Sequence, residues 1–354
     1  MRVTYGMFAL VCVAWLAPPR AQACTAVSAT QGGPIAVAKT LDWDLGHGML
    51  ALNKQGVQKT SLTLNPADSP ATWTSLYASL TFDQVGLEFP YEGMNEKGLS
   101  IDILWLDGSQ YPAPDSRPAV NEVQWIQYQL DNAATLDEVV ELNSKVRISP
   151  AYAQVHYFVC EHTGACGVFE YLNGNLVLHR GSNLPVPVLT NDFYDDSVGS
   201  LSQFTGFGGT HPIPQGSDSP GRFVRAASLL QKLPPSNVRD RVTALFDLLA
   251  DVAAPSTQWS MVFLPETQVV QFQTHANPAR HLARFAGFNL ACASGTQIFD
   301  LSSPADASGE INGSFVSYSS SFNTQIANES TFLPDGFRKI ISAYPEKNTR
   351  CVND

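Results

Sequence analysis

The segment CTAVSAT, residues 24–30, is rich in β-forming residues and partly alternates, which predicts a strand. The next four residues, QGGP (31–34), are typical of a turn, and a second strand pattern follows over 35–43. A hairpin folds the second strand back along the first, so Lys39 and Asp42 return to the neighbourhood of the leading cysteine. The pattern therefore predicts a thiol, an amine and a carboxylate close together.

The first 23 residues have the pattern of a secretory signal peptide. Arg2 precedes an apolar stretch over 6–17 that is too short to span a bilayer. Ala21-Gln22-Ala23 then matches the small-x-small pattern of a cleavage site. A buried N-terminal helix is the alternative interpretation. We expect an exported protein, periplasmic or secreted, without a membrane span, because no later segment is continuously apolar over about 18 residues.

Cleavage after Ala23 makes Cys24 the N-terminal residue, which has three interpretations. Lipidation matches poorly, because Ala21 and Gln22 stand where lipoproteins prefer a leucine and a small residue. A structural disulfide is the second interpretation, and a catalytic nucleophile with its own α-amine as base is the third. The cysteines that remain after cleavage are odd in number, which leaves one unpaired. They are Cys24, Cys160, Cys166, Cys292 and Cys351. The hypothesis is that Cys160 pairs with Cys166, and Cys292 with Cys351.

Composition excludes several classes of function. The chain of 354 residues has 44% hydrophobic residues, enough for a sizeable core, and a net charge of −11. It has no Lys/Arg cluster, so nucleic-acid binding is not expected. Its seven histidines show no metal-ligand spacing, so neither a metal site nor a cofactor is expected.

The remaining patterns alternate between helix and strand. Helical spacing occurs over 121–133, 136–146, 222–233 and 238–252, and strand alternation over 154–160, 167–171, 176–179 and 261–274. Residues 112–115 and 206–220 have the composition of loops rather than of linkers between domains. The patterns predict one α+β domain over 24–354.

Four short segments occur in order along the chain. They are Cys24-Thr25 with the strand that ends Lys39-Thr40-Leu41-Asp42, then Glu92-Gly93-Met94-Asn95-Glu96-Lys97-Gly98-Leu99, Val188-Leu189-Thr190-Asn191, and Gly221-Arg222-Phe223-Val224-Arg225-Ala226-Ala227. Each segment alone is weak evidence for a family. All four in this order, after a cleavage site that would expose the cysteine, are specific evidence. The chain resembles the choloylglycine hydrolases, N-terminal nucleophile hydrolases of linear amides that include bile salt hydrolases and penicillin V acylases. It looks most like the exported Gram-negative penicillin V acylase branch. The resemblance implies a four-layer αββα sandwich.

The resemblance assigns catalytic positions residue by residue. Cys24 matches the nucleophile, Asp42 the acid near it, Asn191 the family's asparagine, and Arg222 the arginine that precedes Phe-Val-Arg. Lys39 departs from the pattern, because bile salt hydrolases usually carry arginine there. Lysine keeps the positive charge but lacks the planar two-pronged donor geometry, so its role stays open.

Two tryptophans are candidate substrate contacts. Trp105 occupies the position where bile salt hydrolases carry a polar residue on the oxyanion side. Its side chain supplies neither an amide nor a phenol, although its backbone N–H can donate. Trp43 and Trp105 could stack on a phenyl ring or pack on an acyl chain, and core packing is the alternative for each. An indole at this position favours a flat aromatic acyl group over a steroid.

The residues and the resemblance together predict a cysteine amidase. An α-amino group has a pKa of about 7.7–8.0, so near neutrality it can exchange a proton with the adjacent thiol. Arg222 and Lys39 would favour the thiolate, and the Asn191 amide is the best donor to the oxyanion. The expected substrates are small amides: phenoxyacetyl amides such as penicillin V first, then N-acyl homoserine lactones, then conjugated bile salts. The resemblance implies a homo-oligomer, a tetramer. The alternative from another class is an exported, lipid-anchored binding protein without chemistry.

Overall fold

The computed structural model describes residues 23–303 and 308–352. The predicted signal peptide therefore lies outside the described residues, apart from Ala23. The predicted hairpin is present: β1 (Thr25–Ala29) pairs antiparallel with β2 (Ala36–Asp42). Gly32, in the turn, has a φ of 70°, a left-handed conformation that glycine adopts without steric cost.

The other strands and the α-helices follow along the chain. The strands are β3 (Met49–Asn53), β4 (Val57–Thr60), β5 (Thr72–Thr74), β6 (Ser79–Asp83), β7 (Pro90–Asn95), β8 (Ser100–Trp105), β9 (Ala119–Val120), β10 (Arg147–Ile148), β11 (Val155–Cys160), β12 (Cys166–Leu172), β13 (Asn175–Arg180), β14 (Val188–Leu189), β15 (Thr257–Leu264), β16 (Val269–Thr274), β17 (His281–Arg284), β18 (Gln297–Asp300), β19 (Gly309–Glu310), β20 (Val316–Ser317) and β21 (Thr349–Cys351). The helices are α1 (Gln124–Asn132), α2 (Leu136–Lys145), α3 (Tyr194–Leu201), α4 (Ser219–Gln231), α5 (Val238–Val252), α6 (Ser320–Glu329), α7 (Asp335–Ser342) and α8 (Tyr344–Asn348).

Two large sheets form the centre of the molecule. The seven-stranded sheet has the order β14-β1-β2-β15-β16-β17-β19, and the nine-stranded sheet has the order β13-β12-β11-β8-β7-β6-β3-β18-β20. Between them Phe82 of β6 contacts the rings of Trp259, Phe263 and Phe272 on β15 and β16. Helices α4 and α5 pack on the first sheet and α1 packs on the second, with α2 beside it. These four layers are the αββα sandwich that the resemblance implies, so the predicted fold class is confirmed.

The boundaries of the predicted elements differ for local reasons. Helix α5 begins and ends as predicted, whereas α1 begins at Gln124 rather than 121, because the Asn121 side chain accepts the N–H groups of Val123 and Gln124 in a turn. Helix α4 begins three residues earlier than predicted, since Pro220 is tolerated in the first helical turn. The predicted strand over 261–274 was wrong as one element, because β15 and β16 form a hairpin.

The C-terminal helices α6 to α8, which the patterns did not predict, cover the loop between β6 and β7. Asn323 of α6 accepts the backbone N–H of Leu87 at 2.8 Å, and Ile341 of α7 lies over Gly86. A disulfide between Cys292 and Cys351 fastens the end of this segment, and Cys160–Cys166 joins β11 to β12. The structure therefore has both hypothesised cysteine pairs. Among the described cysteines, Cys24 is the free one.

None of the described helices has the length and apolar character needed to cross a bilayer. Within residues 23–303 and 308–352, no group of three or more His, Cys, Asp or Glu side chains is placed to hold a metal ion.

Candidate active site

Cys24 lies at the end of the β1–β2 hairpin, where the backbone of β2 reaches its thiol. It is 5% exposed, and the backbone N–H of Asp42 donates a hydrogen bond to its sulfur. Burial raises the pKa of the thiol to about 11 while Ala23 precedes Cys24 in the chain, although the charge of Lys39 lowers it. The thiol therefore needs a further positive charge or a base beside it to ionise near neutrality.

Asp42 presents a buried carboxylate held by two threonines. Its Oδ1 accepts from the Thr257 hydroxyl, and its Oδ2 accepts from the Thr40 hydroxyl at 3.3 Å. Burial raises the pKa of Asp42 to about 6, and the two hydroxyls together with the charges of Arg222 and Lys39 oppose that rise. These contacts leave the group ionised at neutral pH and fixed in one orientation.

Arg222, on the first turns of α4, connects the backbone of Cys24 to Asn191. Its Nη1 donates to the backbone carbonyl of Cys24 and, at 2.7 Å, to the Thr25 hydroxyl. Its Nη2 donates to Asn191 Oδ1 at 2.8 Å. Asn191 Nδ2 in turn donates to the Trp105 carbonyl at 2.9 Å, which occupies one of its two hydrogens. The other amide hydrogen can serve a substrate oxygen.

A second set of side chains, which the sequence analysis missed, holds the backbone on either side of Asn191. His156 Nε2 donates to the carbonyl of Thr190 at 2.8 Å, and its other ring nitrogen lies 3.0 Å from Glu170. Glu170 also accepts the backbone N–H of Tyr194 at 2.9 Å. No local sequence pattern marks these residues, because β11 and β12 bring them to the β14–α3 loop from distant positions.

Lys39 points between the two sheets, where its ammonium contacts the Glu92 carboxylate and both side chains are fully buried. Burial opposes the charge on Lys39, but Glu92, Cys24 and Asp102 raise the pKa of Lys39 above its usual value. Asp102 has no hydrogen-bond partner for either oxygen within the described residues. Burial raises the pKa of Asp102 to about 7, against the effect of Lys39. The charge of Lys39 therefore lowers the pKa of the Cys24 thiol without a hydrogen bond between the two side chains among the described contacts.

This pair yields a stability prediction. Glu92→Gln leaves the buried Lys39 ammonium without its counter-charge, so we expect a loss of about 3–5 kcal/mol in the free energy of unfolding, measured by denaturant titration. Glu310→Gln is the matched control, because its pair with Arg284 lies at the surface and should change stability by less than about 1 kcal/mol. Equal effects of the two substitutions would show that Glu92 does not hold Lys39.

A small apolar cavity adjoins the thiol. Its volume is about 30 Å³, and it is lined by Cys24, Leu41, Trp43, Tyr91, Ile103, Trp105, Val123, Tyr152, Ala153 and Val155. The rings of Trp43 and Trp105 lie 6.3 Å apart. Glu122 accepts three consecutive backbone N–H groups, at Ala151, Tyr152 and Ala153, and so shapes one wall. A larger cavity of about 450 Å³ at the other end of β1, by Arg241, contains none of the predicted site residues.

The structure thus brings Cys24, Asp42, Asn191 and Arg222 into one cluster, with both predicted tryptophans at the adjoining cavity. A sequence model matches residues 24–262, more than half of the chain, and its family is described as "Linear amide C-N hydrolases, choloylglycine hydrolase family". The chain belongs to the choloylglycine hydrolase family. The family match begins at Cys24 itself and ends within β15.

Individual proteins that are similar to this chain agree with the family assignment. A penicillin V acylase of Pectobacterium atrosepticum is 29% identical over 207 residues, 54% of this chain and 54% of that protein, so the chain spans about half the length of the curated relative it matches. The structure of penicillin V acylase from Agrobacterium tumefaciens matches with a TM-score of 0.73 and 26% identity, covering 84% of this chain and 98% of that one. A mutant conjugated bile acid hydrolase from Clostridium perfringens matches in fold, with a TM-score of 0.65 and 18% identity over 81% of this chain and 98% of that one.

Proposed function

We propose that this chain is an amidase that cleaves N-acyl amides, with Cys24 as nucleophile and its α-amine as base once residues 1–23 are removed. The observation that supports the proposal is the bridge from Arg222 to both the Cys24 carbonyl and Asn191 Oδ1, which links the backbone of the thiol-bearing residue to a side chain with an amide donor. The family's described chemistry, hydrolysis of linear C–N bonds, needs this combination of nucleophile and oxyanion donor.

In the proposed first half-reaction, the free α-amine takes the proton from Sγ, and the resulting ammonium favours the thiolate that burial otherwise opposes. Sγ attacks the amide carbon, a C–S bond forms, and the carbonyl π pair moves to oxygen. Asn191 Nδ2 donates to this oxyanion with its remaining hydrogen. The C–N bond then breaks, and the leaving amine takes the proton from the ammonium.

In the second half-reaction, the amine removes a proton from water and the hydroxide attacks the thioester carbon. The C–S bond breaks and the acyl group leaves as a carboxylic acid. The sulfur returns as a thiol with a proton from the ammonium, which restores the starting state. Asp42 orients and charge-balances the ammonium throughout.

Asp42 makes the pH dependence testable. Since its pKa is raised to about 6 in the full-length chain and a neighbouring α-ammonium lowers it, we expect kcat/KM to fall as the pH drops through about 6 or slightly below. Below this range Asp42 is protonated and no longer balances the ammonium. The Asp42→Asn variant should have low activity, and its pH profile should lack the fall in kcat/KM below about pH 6. An unchanged fall in Asp42→Asn would assign the titration to another group.

For the substrate, we propose phenoxyacetyl amides of the penicillin V kind, ahead of N-acyl homoserine lactones and conjugated bile salts. The apolar cavity that Trp43 and Trp105 line supports a flat aromatic acyl group, since offset aromatic contacts stabilise such rings. One panel of penicillin V, an N-acyl homoserine lactone and glycocholate tests the order. We expect the highest kcat/KM for penicillin V. A higher kcat/KM for glycocholate than for penicillin V would contradict the proposed order of substrates.

The processed protein is proposed to be a single domain over 24–354, periplasmic or secreted, and a tetramer. The mass and N-terminal sequence of the protein made with its full leader test the processing. A free N-terminal Cys24 supports the enzyme. A diacylglyceryl group on Cys24, or cleavage elsewhere, would favour the lipid-anchored or non-catalytic alternative.

A further inference from the structure

The cavity beside Cys24 is small in this conformation, and part of it is open to solvent. A volume of about 30 Å³ admits little more than one water molecule, whereas sites for small organic ligands measure about 300–1,000 Å³. An acyl group can therefore enter only if part of the wall moves. Seven of the ten lining residues are buried, and four of these lie on strands, but Trp43, Trp105 and Tyr152 are partly exposed, so the movable side is theirs.

Phe332 is an exposed aromatic residue that contacts this side from outside the cavity. Its ring lies 5.2 Å from the Trp43 ring in an edge-on arrangement, and 6.3 Å from the ring of Tyr152. It is 39% exposed, so its outer face meets solvent while its inner edge contacts the cavity wall. Phe332 is thus the outermost member of an aromatic series that begins at Trp105 beside the thiol.

The loop between α6 and α7 holds Phe332 by its two flanks. Ser330 is fully buried and its hydroxyl lies 3.0 Å from His47 Nε2 and 3.4 Å from the carbonyl of Gln84. Leu333 is also buried. The backbone is therefore fixed on both sides of an exposed ring, which leaves the side chain of Phe332 as the part that can turn outward. This loop lies beyond residues 24–262, the range of the family match.

We propose that Phe332 is a specificity-determining residue that closes the acyl pocket over the distal part of the substrate. This inference rests on the proposed amidase function. An acyl group that extends past Trp43 displaces the Phe332 ring and is then covered by it, which buries apolar surface on both partners. An acyl group that ends before Trp43 does not reach it. Phe332 accordingly selects amides of aryl or long-chain acids over amides of short acids.

The test compares Phe332→Ala and Phe332→Leu with the unsubstituted enzyme on acetyl, hexanoyl, dodecanoyl and phenoxyacetyl amides of one amine. We expect Phe332→Ala to lower kcat/KM about tenfold for the dodecanoyl and phenoxyacetyl amides, mainly through KM, and to leave the acetyl amide within twofold. Phe332→Leu should retain most of the selectivity. Ile340→Ala is the matched control, because Ile340 is a similarly exposed apolar residue, 44% exposed on α7 in the same segment, and lies outside the aromatic series of Trp105, Trp43 and Phe332.

A binding measurement separates failure of this inference from failure of the amidase proposal. In the Cys24→Ala background, quenching of tryptophan fluorescence by phenoxyacetate should require about tenfold more ligand once Phe332 is also replaced by alanine. If the unsubstituted enzyme hydrolyses no amide but this shift occurs, the amidase proposal fails and the pocket assignment stands. An equal effect of Phe332→Ala on all four amides, or no effect on any of them and no shift in binding, would overturn the role of Phe332.

Discussion

A chain that begins at Ala23 should hydrolyse amides about 10²–10⁴-fold more slowly than one that begins at Cys24, because general base catalysis contributes about this factor. The two proteins differ by one small residue and have the same thiol. In the longer one the nitrogen of Cys24 belongs to a peptide bond, so it neither accepts a proton nor lowers the thiol pKa of about 11. Ala23 is also buried, so it occupies space at the site. Initial rates on penicillin V, at equal thiol content confirmed by alkylation and mass, measure the difference.

Two further variants locate the nucleophile within the same experiment. Cys24→Ala should abolish turnover with the fold retained, and Cys24→Ser should be much slower, because a hydroxyl is far less acidic than a thiol. A histidine base is the competing mechanism. His47→Gln, His179→Gln and His211→Gln should each retain activity under the N-terminal mechanism. Full activity of the chain that begins at Ala23, or loss of activity in one of these histidine variants, would refute it.

Asn191→Ala should lower kcat by about 10²–10³-fold, the usual cost of removing one oxyanion donor. Its amide has one hydrogen engaged with the Trp105 carbonyl and its oxygen engaged with Arg222, so the remaining hydrogen has a fixed direction. KM should change much less than kcat, because the oxyanion forms only in the transition state.

The control for this substitution is Asn175→Ala, on β13, whose exposed side chain contacts only the nearby carbonyl of Asn173 among its described hydrogen bonds. Its rate should stay within twofold of the unsubstituted enzyme. A rise in KM at constant kcat in Asn191→Ala would instead assign Asn191 to ground-state binding. Thermal unfolding of both variants shows whether a change in rate reflects a change in folding.

The β1–β2 hairpin was predictable because its partners are neighbours in sequence. A turn of QGGP and two strand patterns suffice to bring Asp42 back to Cys24. Asn191 and Arg222 were assigned by the resemblance to the family, since no local rule brings residues 167 and 198 positions away to Cys24. Their geometry, with Arg222 joining the Cys24 carbonyl to Asn191, required the structure.

The missed residues share a physical reason. Thr257, Glu92 and the pair His156–Glu170 act through contacts between elements distant in sequence, and such contacts leave no periodicity in the chain. Lys39 was expected near the cysteine with an open role, and its carboxylate partner comes from the opposite sheet. Phe332 lies in a C-terminal segment where no helix was predicted, and its importance depends on a ring contact with Trp43.

The guanidinium of Arg222 contacts two parts of the candidate site at once. One planar group donates to the backbone carbonyl of Cys24, the proposed nucleophile, and to the side-chain oxygen of Asn191, the proposed donor to the oxyanion. We therefore expect a displacement of α4 to carry both partners in the same direction, so that the spacing between them would vary less than the position of either. Since a misplacement of about 1 Å can cost about a hundredfold in rate, this shared contact would let the two proposed catalytic groups keep their spacing when the surrounding layers move.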